Sequence, residues 1–260
     1  MVVCAGYPSV EHERAAERIV RFFSSEPHAA AVLLTCSCAR GKATRDSCLD
    51  IAVLVTPEAP AARRAALERA WDEAYEHEPE FAALLRVGAF SHVDLDFYDG
   101  QFAQPERGWT SGADAFELEI GNVLAYSVPL WERGDDLARL REQWLPYYDE
   151  TLRMERAAKV RDYFENNLDH IPLFVERGLH FQAYTRLTHA LGEFLQALFI
   201  ARRTYPIAYD KWIREQIVEL LGLPDLYRQI VRLVEIEDFE SDELARKGDA
   251  LRALYETYCV

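Results

Sequence analysis

The sequence predicts an α/β domain, a mixed sheet with helices over residues 1–134, followed by an all-α helical bundle over residues 135–260. Three observations predict it. Apolar runs of strand length alternate with helical periodicity in the first half. Arg133-Gly134-Asp135 breaks that alternation. From Asp135 onward the hydrophobic period is helical and stays so.

Taken in order, Val10 to Phe23 reads as an amphipathic helix, with Val10, Ala15, Ile19, Val20 and Phe23 on or near one face. Ala29 to Thr35 and Leu49 to Val55 are apolar strands. Ala61 to Tyr75, opened by Pro60, is Ala- and charge-rich and reads as a helix. Phe90 to Tyr98 alternates Val93, Leu95 and Phe97 with His92, Asp94, Asp96 and Tyr98, which makes a strand with a carboxylate-bearing face. Phe116 to Leu130 is ambiguous, with a strand readable over Val123 to Leu130. The bundle helices read as Asp136–Tyr147, Thr151–Arg177, Leu179–Arg203, Tyr209–Leu221, Pro224–Ile236 and Ser241–Tyr258. Their breaks fall at Pro146, Gly178, Pro206 and Leu223-Pro224.

Composition narrows the functions. Half of the 260 residues are hydrophobic, enough for a core without staples. Lys and Arg total 29 against 44 Asp and Glu, a net charge of −15. That argues against duplex nucleic acid, which is bound by neutralising phosphates with cations, but leaves room for a local basic pocket. No segment approaches the roughly 18 apolar residues of a membrane span. Met1 to Gly6 is too short for the apolar region of a signal peptide, so a soluble, cytoplasmic protein is expected. The cysteines, Cys4, Cys36, Cys38, Cys48 and Cys259, read as free thiols. The spacing of Cys36, Cys38 and Cys48 is not that of a zinc knuckle, and no His lies close to them in sequence.

The most informative stretch is Val32 to Gly41, where a strand ends in the small-residue turn Cys36-Ser37-Cys38-Ala39-Arg40-Gly41. Ser47-Cys48-Leu49-Asp50 then opens the next strand. Backbone N–H groups at such a turn attract phosphate, and residues two apart on a strand share a face, so position 48 points the same way as Asp50. This layout resembles the signature of the nucleotidyltransferase superfamily: Gly-Ser-x-Ala-x-Gly, a spacer, then Ser-Asp-x-Asp. Cys36 stands where that signature has its first Gly, and Cys48 where it has the first Asp of the pair.

The resemblance covers about the first 130 residues, and the two-part layout is similar to aminoglycoside-type nucleotidyltransferases. It implies transfer of a nucleoside monophosphate from a nucleoside triphosphate to a hydroxyl of a small molecule. Mg²⁺ would be held by Asp50 and Asp94, with Asp96 able to take the place of Asp94, and the triphosphate by Ser37, Arg40 and Gly41. Asp46 is a candidate to replace the lost carboxylate. Glu117 or Glu119 would be the general base. In the helical half, Arg203 and Lys211 would face phosphates, while Trp212 reads as core. His170, His180 and His189 read as satisfied helical residues. The expected partners are a nucleotide and a small-molecule acceptor, with a homodimer compatible. Because a thiol is a poor Mg²⁺ ligand, the alternative is a catalytically impaired nucleotide-binding or regulatory module.

Overall fold

Four strands form one mixed sheet, β1 (Ala29–Leu34), β2 (Leu49–Val55), β3 (Val93–Tyr98) and β4 (Val128–Glu132), in the order β3-β2-β1-β4. The computed structural model describes residues 6–56 and 61–260; Cys4 and Pro60 lie outside them. β1 is antiparallel to both neighbours, and β2 and β3 are parallel. Parallel strands need a long crossover, which α3 (Ala61–His77) and α4 (Pro79–Leu84) supply.

The chain divides into two compact units. One takes the chain up to Phe102 together with Asn122–Leu145; the other takes Ala103–Gly121 and Pro146–Val260. A single break at residue 134 therefore does not describe the division. Ala103–Gly121 belongs to the helical unit, and α6 (Asp136–Trp144) to the sheet unit.

In the first unit, all six residues of β1 are buried, as its central position and continuous apolar sequence require. α1 (Val10–Ser24) starts at Ser9, whose hydroxyl accepts the His12 N–H, and buries Ala15, Ala16, Ile19 and Phe23. Trp71 makes a tilted ring contact with Phe23 and an edge contact with Phe81, closing the core between α1, α3 and α4. β3 alternates as its sequence indicates, with Asp94 and Asp96 exposed and Val93, Leu95 and Phe97 turned to the core cluster.

The helical unit is built on α7 (Glu150–Glu176), α8 (His180–Ala201), α9 (Pro224–Val234) and α10 (Glu243–Tyr258), with α5 (Phe116–Ile120) from the earlier segment. Gly178, at φ +68°, follows the end of α7 in a conformation that a Cβ would disfavour. Phe164, Leu168, Phe194, Leu198 and Leu251 form the centre of its core.

Two expected elements differ. The reading of a strand over Val123–Leu130 is corrected: Gly121–Ala125 is a π-helical turn, and β4 begins at Val128. The helix expected over Tyr209–Leu221 is a π-helical segment confined to Glu215–Leu220. An extra residue in a helical turn leaves no hydrophobic period to read. Among the described residues, no helix is long and apolar enough to cross a membrane.

Candidate functional site

Strand direction assembles the site at one end of the sheet. Because β1 and β2 are antiparallel, the end of β1 lies beside the start of β2: Leu34 pairs with Ile51, and the Thr35 N–H donates to Asp50 O at 3.0 Å. Because β2 and β3 are parallel, their starts adjoin, with Leu49 opposite Val93 and Asp50 opposite Asp94. The turn after β1 and the openings of β2 and β3 thus meet.

The side chains there converge. Cys48 Sγ lies 3.3 Å from each carboxylate oxygen of Asp50. One donor atom from each of Cys48, Asp50 and Asp94 falls within 4.8 Å of the others, a cluster able to hold a metal ion. His92 Nε2 is 3.7 Å from Asp94 Oδ2. Burial, and after it the nearby Asp50 carboxylate, pushes the Cys48 thiol up to about 12. Asp96 shares the strand face of Asp94 but pairs with Ala52, farther along the ladder, and is not in the cluster.

Asp46 does not supply the missing carboxylate. Its Oδ1 accepts the Ala89 N–H at 2.9 Å, and a Cβ at Gly88 would fall 2.5 Å from that oxygen and 2.6 Å from Arg45 O. Asp46 therefore clamps the loop before β2 against the loop before β3, and the glycine permits the approach.

The turn is the short helix α2 (Cys36–Ala39). Cys36 has φ +52° and Gly41 φ +67°. Both positions lie in the left-handed region, which a side chain makes costly by about 1–2 kcal/mol, so the resemblance's glycine at each has a backbone reason. Ser37 is 9% exposed, and its carbonyl accepts the Lys42 N–H at 2.9 Å. Arg40 is half-buried directly after α2.

Sequence reasoning missed His12. It is fully buried in α1, with Nδ1 2.9 Å from Ser9 Oγ and Nε2 3.0 Å from Ser47 O. A carbonyl only accepts, so Nε2 carries the proton. His12 thus pins the residue before Cys48 to α1. The only sequence signal was a polar residue on the apolar face of a helix.

The remaining expected site residues lie in the second unit. Glu117, a candidate base, is fully buried in an internal network. Arg156 meets it with two N–H donors at 2.9 and 2.8 Å, and Tyr148 Oη and Gln196 Nε2 donate at 2.9 and 2.7 Å. With its oxygens committed and no solvent access, Glu117 is corrected to a structural anion. Glu119 is exposed. Arg203 Nη2 donates to Glu150 at 2.8 Å, and its hydrogen bonds with Arg153 and then Arg203 hold the Glu150 carboxyl down to about 2. Lys211 is exposed. Trp212, expected in the core, is 36% exposed at φ +59°, at the bend that precedes the π-helical segment. His170 is satisfied as expected, with Nδ1 2.7 Å from Asn166 O.

No family model matches this chain, and no curated protein matches it. Among solved structures it is similar to a nucleotidyltransferase-like protein from Exiguobacterium sibiricum 255-15. The identity is 16%, the match covers 94% of this chain and 74% of that one, and the TM-score is 0.45. A likeness that loose carries nothing about activity.

Proposed function

We propose that the first unit is a nucleotidyltransferase-like site that binds a nucleoside triphosphate and transfers its nucleoside monophosphate to a hydroxyl of a small molecule. The observation that carries this reading is the convergence of Asp50 and Asp94, paired directly across β2 and β3, beside the Cys36–Gly41 turn. In this reading Ser37, Arg40 and the backbone up to Gly41 hold phosphate oxygens. Asp50 and Asp94 face the cation that accompanies the triphosphate. Of the two glutamates weighed as a base, Glu117 is set aside by its full burial among its own partners.

The donor set does not suit a pair of Mg²⁺ ions. Mg²⁺ takes oxygen ligands in near-octahedral array, and here the third donor is the Cys48 thiol. This favours a second reading, a nucleotide-binding or regulatory module without transfer, which the commitment of Asp46 to Ala89 also supports.

The test is mass spectrometry of a pooled metabolite extract incubated with the protein, the four common nucleoside triphosphates and Mg²⁺, Mn²⁺ or Zn²⁺. New nucleotidylated products support transfer. Nucleotide binding by calorimetry without any product supports the second reading, and no binding at all overturns both. Ser37→Ala is expected to weaken nucleotide binding by about 0.5–1.5 kcal/mol, the net worth of one hydrogen bond; unchanged affinity would make the turn purely structural.

A further inference from the structure

The openings of β2 and β3 bring one thiol and two carboxylates together, with an imidazole beside the second carboxylate. Leu49 pairs with Val93 and Asp50 with Asp94, and the Leu49 N–H donates to His92 O at 2.8 Å. Cys48 immediately precedes β2 and His92 immediately precedes β3, so each stands two residues before the aspartate of its strand. The side chains meet accordingly. Cys48 Sγ touches both Asp50 oxygens at 3.3 Å, His92 Nε2 stands 3.7 Å from Asp94 Oδ2, and the Cys48, Asp50 and Asp94 donors lie within 4.8 Å of one another.

We infer that Cys48, Asp50 and Asp94, with His92 supporting Asp94 from beside it, form a binding site for Zn²⁺ or a cation of similar softness, in preference to Mg²⁺. One sulfur and two carboxylate oxygens are donor types that Zn²⁺ takes, three protein ligands leave the fourth position open as in catalytic zinc sites, and an imidazole beside a ligating carboxylate orients it. Mg²⁺ gains nothing from a thiol or an imidazole, whereas Zn²⁺, Co²⁺ and Cd²⁺ do. Binding forms the sulfur–metal bond and releases the Cys48 proton to solvent. The surroundings are built to hold the donors. His12 fixes Ser47 O next to Cys48, and Asp46 fixes Ala89 N on the loop that leads to His92. The donors come from two strands far apart in sequence, which is why cysteine spacing gave no sign of them. The inference deepens the site proposed above but does not require that it bind nucleotide.

The experiment titrates the full chain with Co²⁺ in the absence of nucleotide, followed by displacement with Zn²⁺ or Mg²⁺. The expected result is a thiolate-to-cobalt charge-transfer band in the near ultraviolet, abolished by equimolar Zn²⁺ and retained in a large excess of Mg²⁺. Cys48→Ser is expected to lose the band, and Cys259→Ser to keep it. His92→Ala is expected to weaken Zn²⁺ binding by about tenfold or more, the scale seen when a group that supports a metal site is removed. Cys48→Asp is expected to let Mg²⁺ compete. A missing band, a band that survives Cys48→Ser, Zn²⁺ affinity unchanged in His92→Ala, or Mg²⁺ competing equally in wild type and Cys48→Asp would each overturn the inference. If circular dichroism shows Cys48→Ser unfolded, the wild-type competition and His92→Ala still decide. Nucleotide binding by the metal-free protein is measured separately, so failure of the nucleotide reading and failure of the metal inference are distinguishable.

Discussion

The acids of the first unit and those of the second are treated in opposite ways. In the second, Asp114, Glu117 and Glu193 are buried, and the chain supplies their partners. Arg156 bridges Asp114 at 2.6 Å and Glu117 at 2.8 Å, Arg107 reaches Glu193 at 2.6 Å and Asp114 at 3.4 Å, and Asn167 donates to both Glu193 oxygens while accepting from Arg186. Burial alone would raise the Asp114 carboxyl, but the hydrogen bond and charge of Arg156 outweigh it and hold it below its usual value. In the first unit the Asp94 side chain is 64% exposed, and Asp50 has a thiol against it. A carboxylate taken out of water must find its counter-charge within the fold. One left at the solvent end of a strand keeps the capacity to bind a cation from outside. The same residue type is architecture in one unit and a candidate site in the other.

The largest expected effect breaks the buried side of this contrast. Arg156→Met leaves Asp114 and Glu117 without their shared guanidinium, and should cost about 3–5 kcal/mol of stability by denaturant unfolding. A loss under about 1 kcal/mol would mean that these acids are not held by Arg156.

A smaller effect concerns Glu193. Burial pushes its carboxyl up to about 7, against the opposing pull of Asn167 and Arg107. The folded state therefore holds this proton more tightly than the unfolded chain, where the value is 4.5. Its contribution to stability is fully present below about 4.5 and falls as pH rises through about 7. Asp114 has the opposite sign: its contribution is complete above the unfolded value of 3.8 and is lost as pH falls through its lower folded value, outside that window. Glu193→Gln should flatten the decline between pH 4.5 and 7 in thermal unfolding; an unaltered slope would assign it to other groups.

The smallest effect sharpens the exposed side. Asp94→Asn removes one of two adjacent negative charges and should change stability by no more than about 0.5 kcal/mol without metal, with the sign toward stabilisation. The same substitution should abolish any rise in melting temperature that a bound divalent cation gives the wild type. A large destabilisation in metal-free buffer would show that Asp94 is structural, as Glu117 is.

Much of the first unit was legible because its signals are local. The alternation in Val93–Tyr98 and the unbroken apolar run of Ala29–Leu34 each report burial residue by residue. The turn at Cys36–Gly41 was legible as a turn, although the left-handed backbone at Cys36 was not. Glu117 was misread for a definite reason: its partners Tyr148, Arg156 and Gln196 lie 31, 39 and 79 residues away, and no window of sequence contains them. His12 was missed because its acceptor, Ser47 O, belongs to another element.

By itself the sequence determined the α/β-then-helical order, since hydrophobic period is written along the chain and selects secondary structure locally. It also placed position 48 on the face of Asp50, because a strand's period is two. Only the tertiary structure decided that Asp94, with His92 at its side, pairs directly with Asp50, that Asp46 is spent on Ala89, and that Ala103–Gly121 joins the helical unit. Strand direction, register and the pairing of buried charges depend on which distant segments meet, and that is settled by packing rather than by any local pattern.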